Sequence, residues 1–259
     1  MRNEERTGYH SYRDGMMQMT LDAAQEAVRH SIARRATRFY RRADLFARDF
    51  ARFKLRVDPL FADVLVSGAL GRCRDLVDLG CGQGLLTAWF LAAREQHDAS
   101  QWPASWAAPP APHRMRGFDL RPANIRRAQA ALGDHADFRL QDIRDAALDG
   151  ADGVALLDVI HYLTFDDQRR LLQRIRCALP AGGALVMRVA DAGSGFSYRL
   201  AQWIDYANDL VRDGHRSSFH CRSVADWVST LRDCGFDASP LASSTGKSFS
   251  NTVLVARAA

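Results

Sequence analysis

Short apolar runs alternate with longer segments of helical spacing over most of the chain. Six runs of three to six residues are rich in branched and aromatic side chains, a pattern typical of buried strands. They predict strands at 76–79, 115–118, 138–140, 154–159, 184–189 and 252–256. Between them, apolar positions recur every three or four residues and predict helices at about 85–95, 122–132, 165–178 and 223–234.

This alternation predicts the α/β fold class. Strands that alternate with helices build a parallel sheet that is covered by helices on both faces. The crossover connections are right-handed, which places the C-terminal ends of these strands at one edge of the sheet. Ligands of open α/β sheets bind at that edge, where the strand order reverses. Polar residues at strand ends are therefore the first candidates for a functional site.

The N-terminal part of the chain follows a different pattern. Residues 21–50 carry apolar side chains at nearly helical spacing, and the helices there are expected to break near Asp58-Pro59. We predict a leader and helical cap over residues 1–60 and a main domain over residues 61–259. Within the main domain, residues 97–114 contain four prolines and two tryptophans without any period, which predicts an inserted surface loop.

Composition narrows the protein class. An apolar share of 47% over 259 residues suits a folded α/β domain. No apolar run is long enough to span a membrane, and residues 1–20 lack the apolar core of a signal peptide. The five cysteines are odd in number and none are spaced CxxC, so neither a disulfide framework nor a zinc site is predicted. We expect a reduced, cytoplasmic protein without a metal.

The charge of the chain raises the question of an acidic partner. The formal net charge is +5, and basic residues cluster between Arg29 and Arg56. Only Lys54 and Lys247 are lysines, so the excess of arginine also fits codon bias in a GC-rich genome. We favour a solvated helix face over a binding patch, and nucleic acid is not the expected partner.

The stretch DLVDLGCGQGLLTAW, residues 75–89, joins a strand pattern to a helix pattern through three glycines. A turn that lacks Cβ atoms lets a ligand lie against the backbone. The GxGxG spacing of Gly80, Gly82 and Gly84 differs from the GxGxxG of dinucleotide sites, and the GK[ST] of a phosphate-binding loop is absent. A carboxylate at Asp78 would repel a pyrophosphate, whereas it would suit a cationic amino group.

Two further acids end the next two predicted strands. Asp119 can accept hydrogen bonds from both hydroxyls of a ribose. Asp142 can accept one from an adenine amino group while the Ile143 N–H donates to the ring. Each acid alone fits a helix cap or a solvated loop end equally well. Their order at successive strand ends favours a ligand with an amino-acid end, a ribose and an adenine.

The ordered motifs resemble those of the class I S-adenosylmethionine-dependent methyltransferases. The matching stretches are VDLGCGQG, GFDLRP, LQDIRD, VALLDVIHYL and LPAGGALVMRVAD, over roughly residues 75–191. The resemblance implies a Rossmann-like, seven-stranded, mostly parallel sheet whose last strand, at 251–257, is antiparallel. It also implies S-adenosylmethionine as cofactor and S-adenosylhomocysteine as product, bound by Asp78, Gly80, Cys81, Gly82, Gly84, Asp119, Leu120, Asp142, Ile143, Asp158 and Val159.

The segments around strands four and five bear on the methyl acceptor. Methyltransferases of adenine or amide nitrogens carry Asn/Asp-Pro-Pro-aromatic after strand four, whereas this chain has DVIHYL, which favours a small-molecule acceptor. Residues 193–222 are rich in aromatic side chains and, with the N-terminal helices, predict a lid. Packing of extra helices explains these aromatic residues equally well. In the lid hypothesis, the side chains that bind the acceptor are Tyr162, Phe196, Tyr198 and Trp203.

A finer resemblance concerns the stretch FARFKLRVDPLF, residues 50–61. Together with DLGCGQGLL it is similar to methyltransferases of bacterial aryl polyene or xanthomonadin-type pigment synthesis. The similarity implies methylation of an aromatic hydroxyl on a free acceptor or on one bound to a carrier protein. It assigns Lys54 and Arg56 to the cofactor carboxylate or the acceptor. An ordinary helix end is the alternative for both residues, because a fold-level analogy does not fix a substrate.

Two histidines are candidates for a catalytic base. A phenol must lose its proton before or during methyl transfer, and histidine is the side chain best matched to take it near neutral pH. His161 follows strand four, and His220 lies in the predicted lid. Packing or hydrogen bonding in a loop is the alternative for each. We expect His220 to be the base, because a lid can reach the acceptor.

Other functions stay open at this point. The basic N-terminal region would also serve a methyltransferase of RNA or protein, for which a strongly salt-dependent RNA affinity would be evidence. A protein that binds the cofactor without transferring a methyl group is a third class. A nicotinamide-dependent dehydrogenase is disfavoured by the GxGxG spacing.

Overall fold

Three helices precede the first strand in the computed structural model, which describes residues 21–191, 219–242 and 251–259. They are α1 (Ala23–Thr37), α2 (Leu45–Val57) and α3 (Leu60–Val66), with a 3-10 helix at Arg38–Arg42. Asp22 begins α1 in a reciprocal cap: its side chain accepts from the Gln25 N–H at 2.8 Å, and Gln25 Oε1 accepts from the Asp22 N–H at 2.9 Å. The predicted break at Asp58-Pro59 is confirmed.

Strands and helices then alternate. The strands are β1 (Asp75–Leu79), β2 (Arg114–Asp119), β3 (Asp137–Leu140), β4 (Gly153–Leu157), β5 (Ala184–Ala190), β6 (Phe236–Leu241) and β7 (Asn251–Ala258). The helices are α4 (Leu85–Asp98), α5 (Pro122–Leu132), α6 (Phe165–Ala178) and α7 (Val224–Asp233), with a short 3-10 helix at Ile160–Tyr162. All six strands and four helices that the hydrophobic pattern predicts are therefore present.

The strands form a single sheet in the order β3-β2-β1-β4-β5-β7-β6. β1 to β5 pair in parallel, whereas β7 runs antiparallel to both β5 and β6. The chain moves outward from β1 to β3 and then returns to the other side of β1 with β4. The strand order thus reverses between β1 and β4, which is where ligands of open α/β sheets bind.

Two apolar layers cover the sheet, one on each face. One layer contains Leu76 of β1 together with side chains of α1 to α5. The other layer contains Val77 and Leu79 of β1 together with side chains of α6 and α7. Side chains alternate along a strand, so Asp78 faces the same layer as Leu76. The N-terminal helices therefore share one apolar core with α4 and α5.

The structure departs from the sequence pattern in three places. β4 ends at Leu157 rather than at Val159, because Asp158 has a φ of +57° and leaves the extended conformation. α4 continues to Asp98, which shortens the inserted loop to 99–113. The pattern did not predict β6, in which Phe236 and Ala238 are buried while the other positions are more exposed. The parts of the predicted leader and lid at 1–20 and 193–218 lie outside the described residues.

No helix within the ranges that the structure describes is long and apolar enough to cross a lipid bilayer.

Candidate functional site

The three glycines form the turn between β1 and α4. The Gly80 and Cys81 N–H groups donate to the Phe118 carbonyl at 2.8 and 3.0 Å, so the turn is held against the end of β2. The φ angles of the glycines are +77°, +54° and +82°, a range that favours glycine. Cys81 is buried, and burial raises the pKa of its thiol well above the ordinary value. The predicted glycine turn between a strand and a helix is confirmed.

Only one of the three glycines borders open space. A Cβ atom on Gly80 would lie 2.8 Å from the Val159 side chain, and one on Gly84 would lie 2.9 Å from Leu132 Cδ1. These two glycines are required for packing between elements. A Cβ atom on Gly82 would meet nothing within 4 Å. Gly82 is therefore the point at which a ligand can approach the backbone.

Asp119 lies beside Gly82 at the end of β2. Its Oδ2 accepts from the Gly82 N–H at 3.0 Å, and its Oδ1 accepts from the Arg121 N–H at 2.8 Å. The following residue, Leu120, is 61% exposed. The carboxylate thus holds the glycine turn at the sheet edge where a ribose is expected.

Asp78 is buried just below this turn. It is 3% exposed, and none of the residues in the described ranges donates a hydrogen bond to its carboxylate. Burial, and then the negative charge of Asp119, raise the pKa of Asp78 to about 7. A buried acid next to open space at Gly82 fits a ligand that carries a cationic amino group, because that group supplies the missing positive charge.

Asp142 follows β3 and is paired within its own loop. Its Oδ1 accepts from the Arg144 N–H at 2.8 Å, and Arg144 Nη2 lies 2.6 Å from Oδ2. The hydrogen bond from the Arg144 side chain lowers the pKa of Asp142. Ile143 is buried in the layer that contains α6 and α7. A ligand amine at this position would share the carboxylate with Arg144.

A chain of charges that the sequence analysis did not predict lies beside the loop after β4. Arg188 of β5 is 6% exposed; its Nε lies 2.6 Å from Asp158 Oδ1, and its Nη2 also contacts Asp158. Its Nη1 lies 2.5 Å from Asp58 Oδ1. Lys54 of α2 lies 2.6 Å from the other oxygen of Asp58. These charges join the end of α2 to β4 and β5. We call them the rim network, which consists of Lys54, Asp58, Arg188 and Asp158.

Mutual charge keeps Asp58 and Arg188 of the rim network ionised. Burial alone would raise the pKa of Asp58, but the charges of Arg188 and Lys54 outweigh it and hold that pKa well below its ordinary range. Burial acts to lower the pKa of Arg188, and the charges of Asp158 and Asp58 hold it above its ordinary value. A signal was available in the sequence: an arginine inside the apolar strand ALVMRVA needs acidic partners when the strand is buried.

His161 lies in an aromatic cluster next to the rim network. Its ring centroid is 4.5 Å from that of Tyr162 and 5.5 Å from that of Phe219. His161 is 4% exposed, and neither ring nitrogen has a hydrogen-bond partner among the described residues. Burial lowers the pKa of His161; the charge of Asp158 opposes this shift, and the charge of Arg188 adds to it. The imidazole is therefore neutral at pH 7.

His220 is joined to His161 through the backbone, but its ring lies elsewhere. The His220 N–H donates to the His161 carbonyl at 2.9 Å. The His220 ring contacts Phe165 edge-on, with 5.3 Å between the centroids. Phe165 begins α6 and is half-exposed, so the two histidine rings contact different neighbours.

The remaining predicted site residues are distributed unevenly. Lys54 is engaged by Asp58, and Arg56 is exposed to solvent on α2. Phe196, Tyr198 and Trp203 lie outside the described residues. Within 21–191, 219–242 and 251–259, no group of three or more His, Cys, Asp or Glu side chains is arranged to hold a metal ion.

The N-terminal helices contact the glycine turn directly, which sequence reasoning did not specify. The Tyr40 hydroxyl donates to the Gln83 carbonyl at 2.9 Å, and Gln83 Nε2 donates to the Ala47 carbonyl at 2.9 Å. Tyr40 and Gln83 are both buried. Burial, followed by the charges of Cys81 and Asp78, raises the pKa of Tyr40 well above its ordinary value. These contacts tie the start of α2 to the candidate cofactor site.

Comparison with known proteins identifies the family. Residues 24–237 match the model of a family described as a methyltransferase domain. An O-methyltransferase family protein from Burkholderia thailandensis shares the fold with a TM-score of 0.52 at 20% identity, over 85% of this chain and 61% of its own. The magnesium protoporphyrin IX methyltransferase of Synechocystis PCC 6803, solved with bound S-adenosylmethionine, has a TM-score of 0.52 at 18% identity, over 94% of this chain and 100% of its own.

One curated relative matches part of the chain. The carboxy-S-adenosyl-L-methionine synthase of Chromohalobacter salexigens is 31% identical over 115 residues, which are 42% of this chain and 37% of that protein. The match thus spans little more than a third of the relative's length.

The chain belongs to the methyltransferase domain family. The fold class and the family that the ordered motifs implied are confirmed.

Proposed function

We propose that this protein transfers the methyl group of S-adenosylmethionine to a small molecule, with an aromatic hydroxyl as the acceptor. One observation carries the proposal: a neutral, buried His161 without a described hydrogen-bond partner lies in an aromatic cluster at the same sheet edge as the glycine turn. The edge therefore has one region suited to the cofactor and another suited to an aromatic ring.

The cofactor region offers a polar group for each part of the cofactor. Asp78 is a buried acid for the ammonium group, and Asp119 stands at the open side of Gly82 for the ribose hydroxyls. Asp142 and the Ile143 N–H are candidates for the adenine. S-adenosylmethionine supplies an activated sulfonium methyl group, so the chain itself mainly has to orient the acceptor and exclude water.

The contacts of the two histidines favour His161 over His220 as the base, although the sequence had favoured His220. The charges of Asp158 and Arg188 both shift the pKa of His161, so this ring lies close to the rim network. The His220 ring packs instead on Phe165. A lowered pKa keeps the His161 imidazole unprotonated near neutral pH and ready to accept a phenolic proton. Tyr162 and Phe219 would lie against the acceptor ring.

The proposed class of acceptor is supported by the sequence resemblance to pigment-type methyltransferases and by the names of the structural relatives. The Burkholderia structure is named for methyl transfer to oxygen, and the Synechocystis enzyme for a porphyrin, which is a small molecule. The pigment-type sequence resemblance narrows our proposal to an aromatic hydroxyl in bacterial secondary metabolism, on a free acceptor or on one bound to a carrier protein. Tritiated methyl transfer to separated small-molecule, protein and RNA fractions of a bacterial extract tests this acceptor class. Label confined to protein or RNA would contradict it.

The cofactor assignment is tested through Asp119. Asp119→Ala should weaken S-adenosylmethionine binding by about 2 kcal/mol or more, because two ribose hydroxyls lose a charged acceptor. Isothermal calorimetry provides the measurement. Asp137→Ala removes an exposed acid from β3 and is the matched control, since its only described partner is Arg139. Equal affinity of Asp119→Ala and the control would refute the ribose site.

The base assignment is tested by the pH dependence of turnover. His161→Ala should lose turnover at neutral pH by a factor of about 100 to 10,000, recover part of it at high pH where a phenol ionises unaided, and keep its cofactor affinity. His220→Ala is the matched variant and should keep most of its turnover. If both variants retain normal turnover, no histidine acts as the base. If only His220→Ala fails, the base is His220.

A further inference from the structure

The helix α2 presents all but one of its large apolar side chains to solvent. Its buried face consists of Ala47, Ala51 and Leu55. The side chains that point outward include Leu45, Phe46, Phe50 and Val57, which are between 37% and 70% exposed. We call these four residues the outward ridge. Phe46, Phe50 and Val57 fall on one line along the helix, whereas Leu45 projects on the side of the arginines.

A row of arginines runs beside the outward ridge. Arg48, Arg52 and Arg56 follow one another at intervals of four and are all exposed. Over residues 38–57 the chain carries seven basic and two acidic side chains. Both acids are engaged, since Asp44 lies 2.7 Å from Arg127 and Asp49 lies 3.7 Å from Arg48. The surface around the ridge therefore has a strong excess of positive charge.

The basic surface continues across a shallow cleft onto α5. Arg42 and Arg126 line this cleft, and Arg127 lies over the Phe46 ring at 4.5 Å from its centroid. Phe46 and Phe50 stack on each other with 6.0 Å between their centroids. The ridge is therefore an ordered convex strip bordered by arginines on both α2 and α5.

We propose that the outward face of α2 binds the surface of an anionic lipid membrane. Helices that lie in a membrane interface combine an apolar face of Phe and Leu with flanking Lys or Arg side chains, which attract anionic headgroups. The ridge and the arginine row reproduce that combination on a helix whose other face is anchored to the protein core. The inference concerns peripheral attachment and holds for any methyl acceptor.

The shape of the surface favours a lipid interface over a macromolecular partner. Arginines contact the phosphates of RNA, and phenylalanines stack on its unpaired bases. RNA offers no use, however, for the exposed aliphatic side chains of Leu45 and Val57 on the same helix. An acidic protein would need a groove complementary in shape to a convex ridge. A lipid interface accepts a ridge of this form without a preformed groove, because headgroups and acyl chains rearrange around it.

Flotation of the purified full-length chain with lipid vesicles tests the proposal, without cofactor or acceptor. The protein should float with vesicles of phosphatidylglycerol and phosphatidylcholine, and it should not float with vesicles of pure phosphatidylcholine. High salt should weaken the binding to the anionic vesicles. The double variant Phe46→Ser/Phe50→Ser should reduce the partition coefficient about tenfold or more. Arg52→Gln should reduce it about fivefold.

Matched variants and competitors decide the outcome. Phe165→Ser removes an exposed phenylalanine from α6, and Arg170→Gln removes an exposed arginine from the same helix; both should bind vesicles as the wild type does. Melting temperatures check that each variant is folded. The proposal is overturned by failure to bind anionic vesicles, by unchanged binding of the folded Phe46→Ser/Phe50→Ser variant, or by binding to RNA or an acidic protein in place of vesicles.

Discussion

Asp78 is a carboxylic acid that the fold buries at the end of a central strand. Its pKa of about 7 lies well above that of an exposed aspartate, because burial disfavours the charged form. The folded protein therefore holds this proton up to neutral pH, whereas the unfolded chain releases it near pH 4. In the proposed cofactor site this acid has no positively charged partner among the described residues, and an ammonium group would supply one.

This acid predicts a pH dependence of both stability and binding. A raised pKa in the folded state means that stability is lost as the pH rises from about 4 to about 7, by up to about 4 kcal/mol. Asp78→Asn should therefore be more stable relative to wild type at pH 8 than at pH 5. Cofactor affinity of the wild type should rise with pH through 7, whereas that of Asp78→Asn should be lower and flat over the same range.

Denaturant unfolding and calorimetry at pH 5 and pH 8 measure the two effects. Asp137→Asn, an exposed acid on β3, should follow the wild type in both. A stability difference between Asp78→Asn and wild type that does not change with pH would show that Asp78 is already ionised in the folded protein.

The glycines show what a sequence motif can and cannot specify at this scale. GxGxG predicted a bare turn, and the turn is present. The motif could not reveal that Gly80 packs against Val159 and Gly84 against Leu132, because those neighbours come from distant parts of the chain. Nor could it reveal that Gly82 is the one glycine of the three that faces open space. The identity of the ligand followed instead from Asp78, Asp119 and Asp142 at successive strand ends.

The rim network is a link between elements. It joins the end of α2 to β5 and to the loop after β4 through Asp58 and Arg188, which are 130 residues apart in the chain. Buried charges of this kind stabilise a protein only as a set, because removal of one member leaves the others unpaired. The network therefore fixes the distance between α2 and the loop that holds Asp158.

Substitution of Arg188 tests this link. Arg188→Met leaves Asp58 and Asp158 without their shared partner and should destabilise the fold by about 3 kcal/mol or more at pH 7. The loss should shrink as the pH falls below about 4, because the stabilisation from an acid with a lowered pKa disappears when that acid is protonated. Arg188→Lys should restore part of the stability. Urea unfolding at pH 7 and pH 3 provides the measurement.

Arg174→Met is the matched control, since Arg174 binds only backbone carbonyls at a more exposed position on α6. If the loss in Arg188→Met is as large at pH 3 as at pH 7, packing of the side chain rather than pairing of charge explains it.

At the scale of elements, periodicity predicted most of the fold. It located six strands and the four helices after β1, since each buries a regular face. It missed β6, because FDASPL carries an aspartate, a serine and a proline and buries little of itself. It also missed the rim network, because Asp58 was read only as part of a helix break. Residues 58, 158 and 188 lie close together because of the strand order. Hydrophobic periodicity gives no information about that order.

At the scale of the whole molecule, α2 connects three regions. Its Ala47 carbonyl bonds to Gln83 of the glycine turn, its C-terminal end reaches the rim network, and its outward ridge faces solvent. The predicted boundary at residue 60 does not separate two cores, because α1, α2 and α4 pack in one apolar layer. Attachment of the ridge to a surface would bring that surface close to the sheet edge where the cofactor region lies.

The last strand of the chain lies inside the sheet, between β5 and β6. During translation, β6 leaves the ribosome before β7. Until residues 251–258 emerge, β6 has no strand with which to pair, and β5 keeps one edge unpaired. The strands β1 to β4, with the glycine turn directly after β1, have one another available by residue 157. Translation therefore supplies the half of the sheet that contains the proposed cofactor site early. The strand β7 can pair with β5 and β6 only after both of those strands have been made.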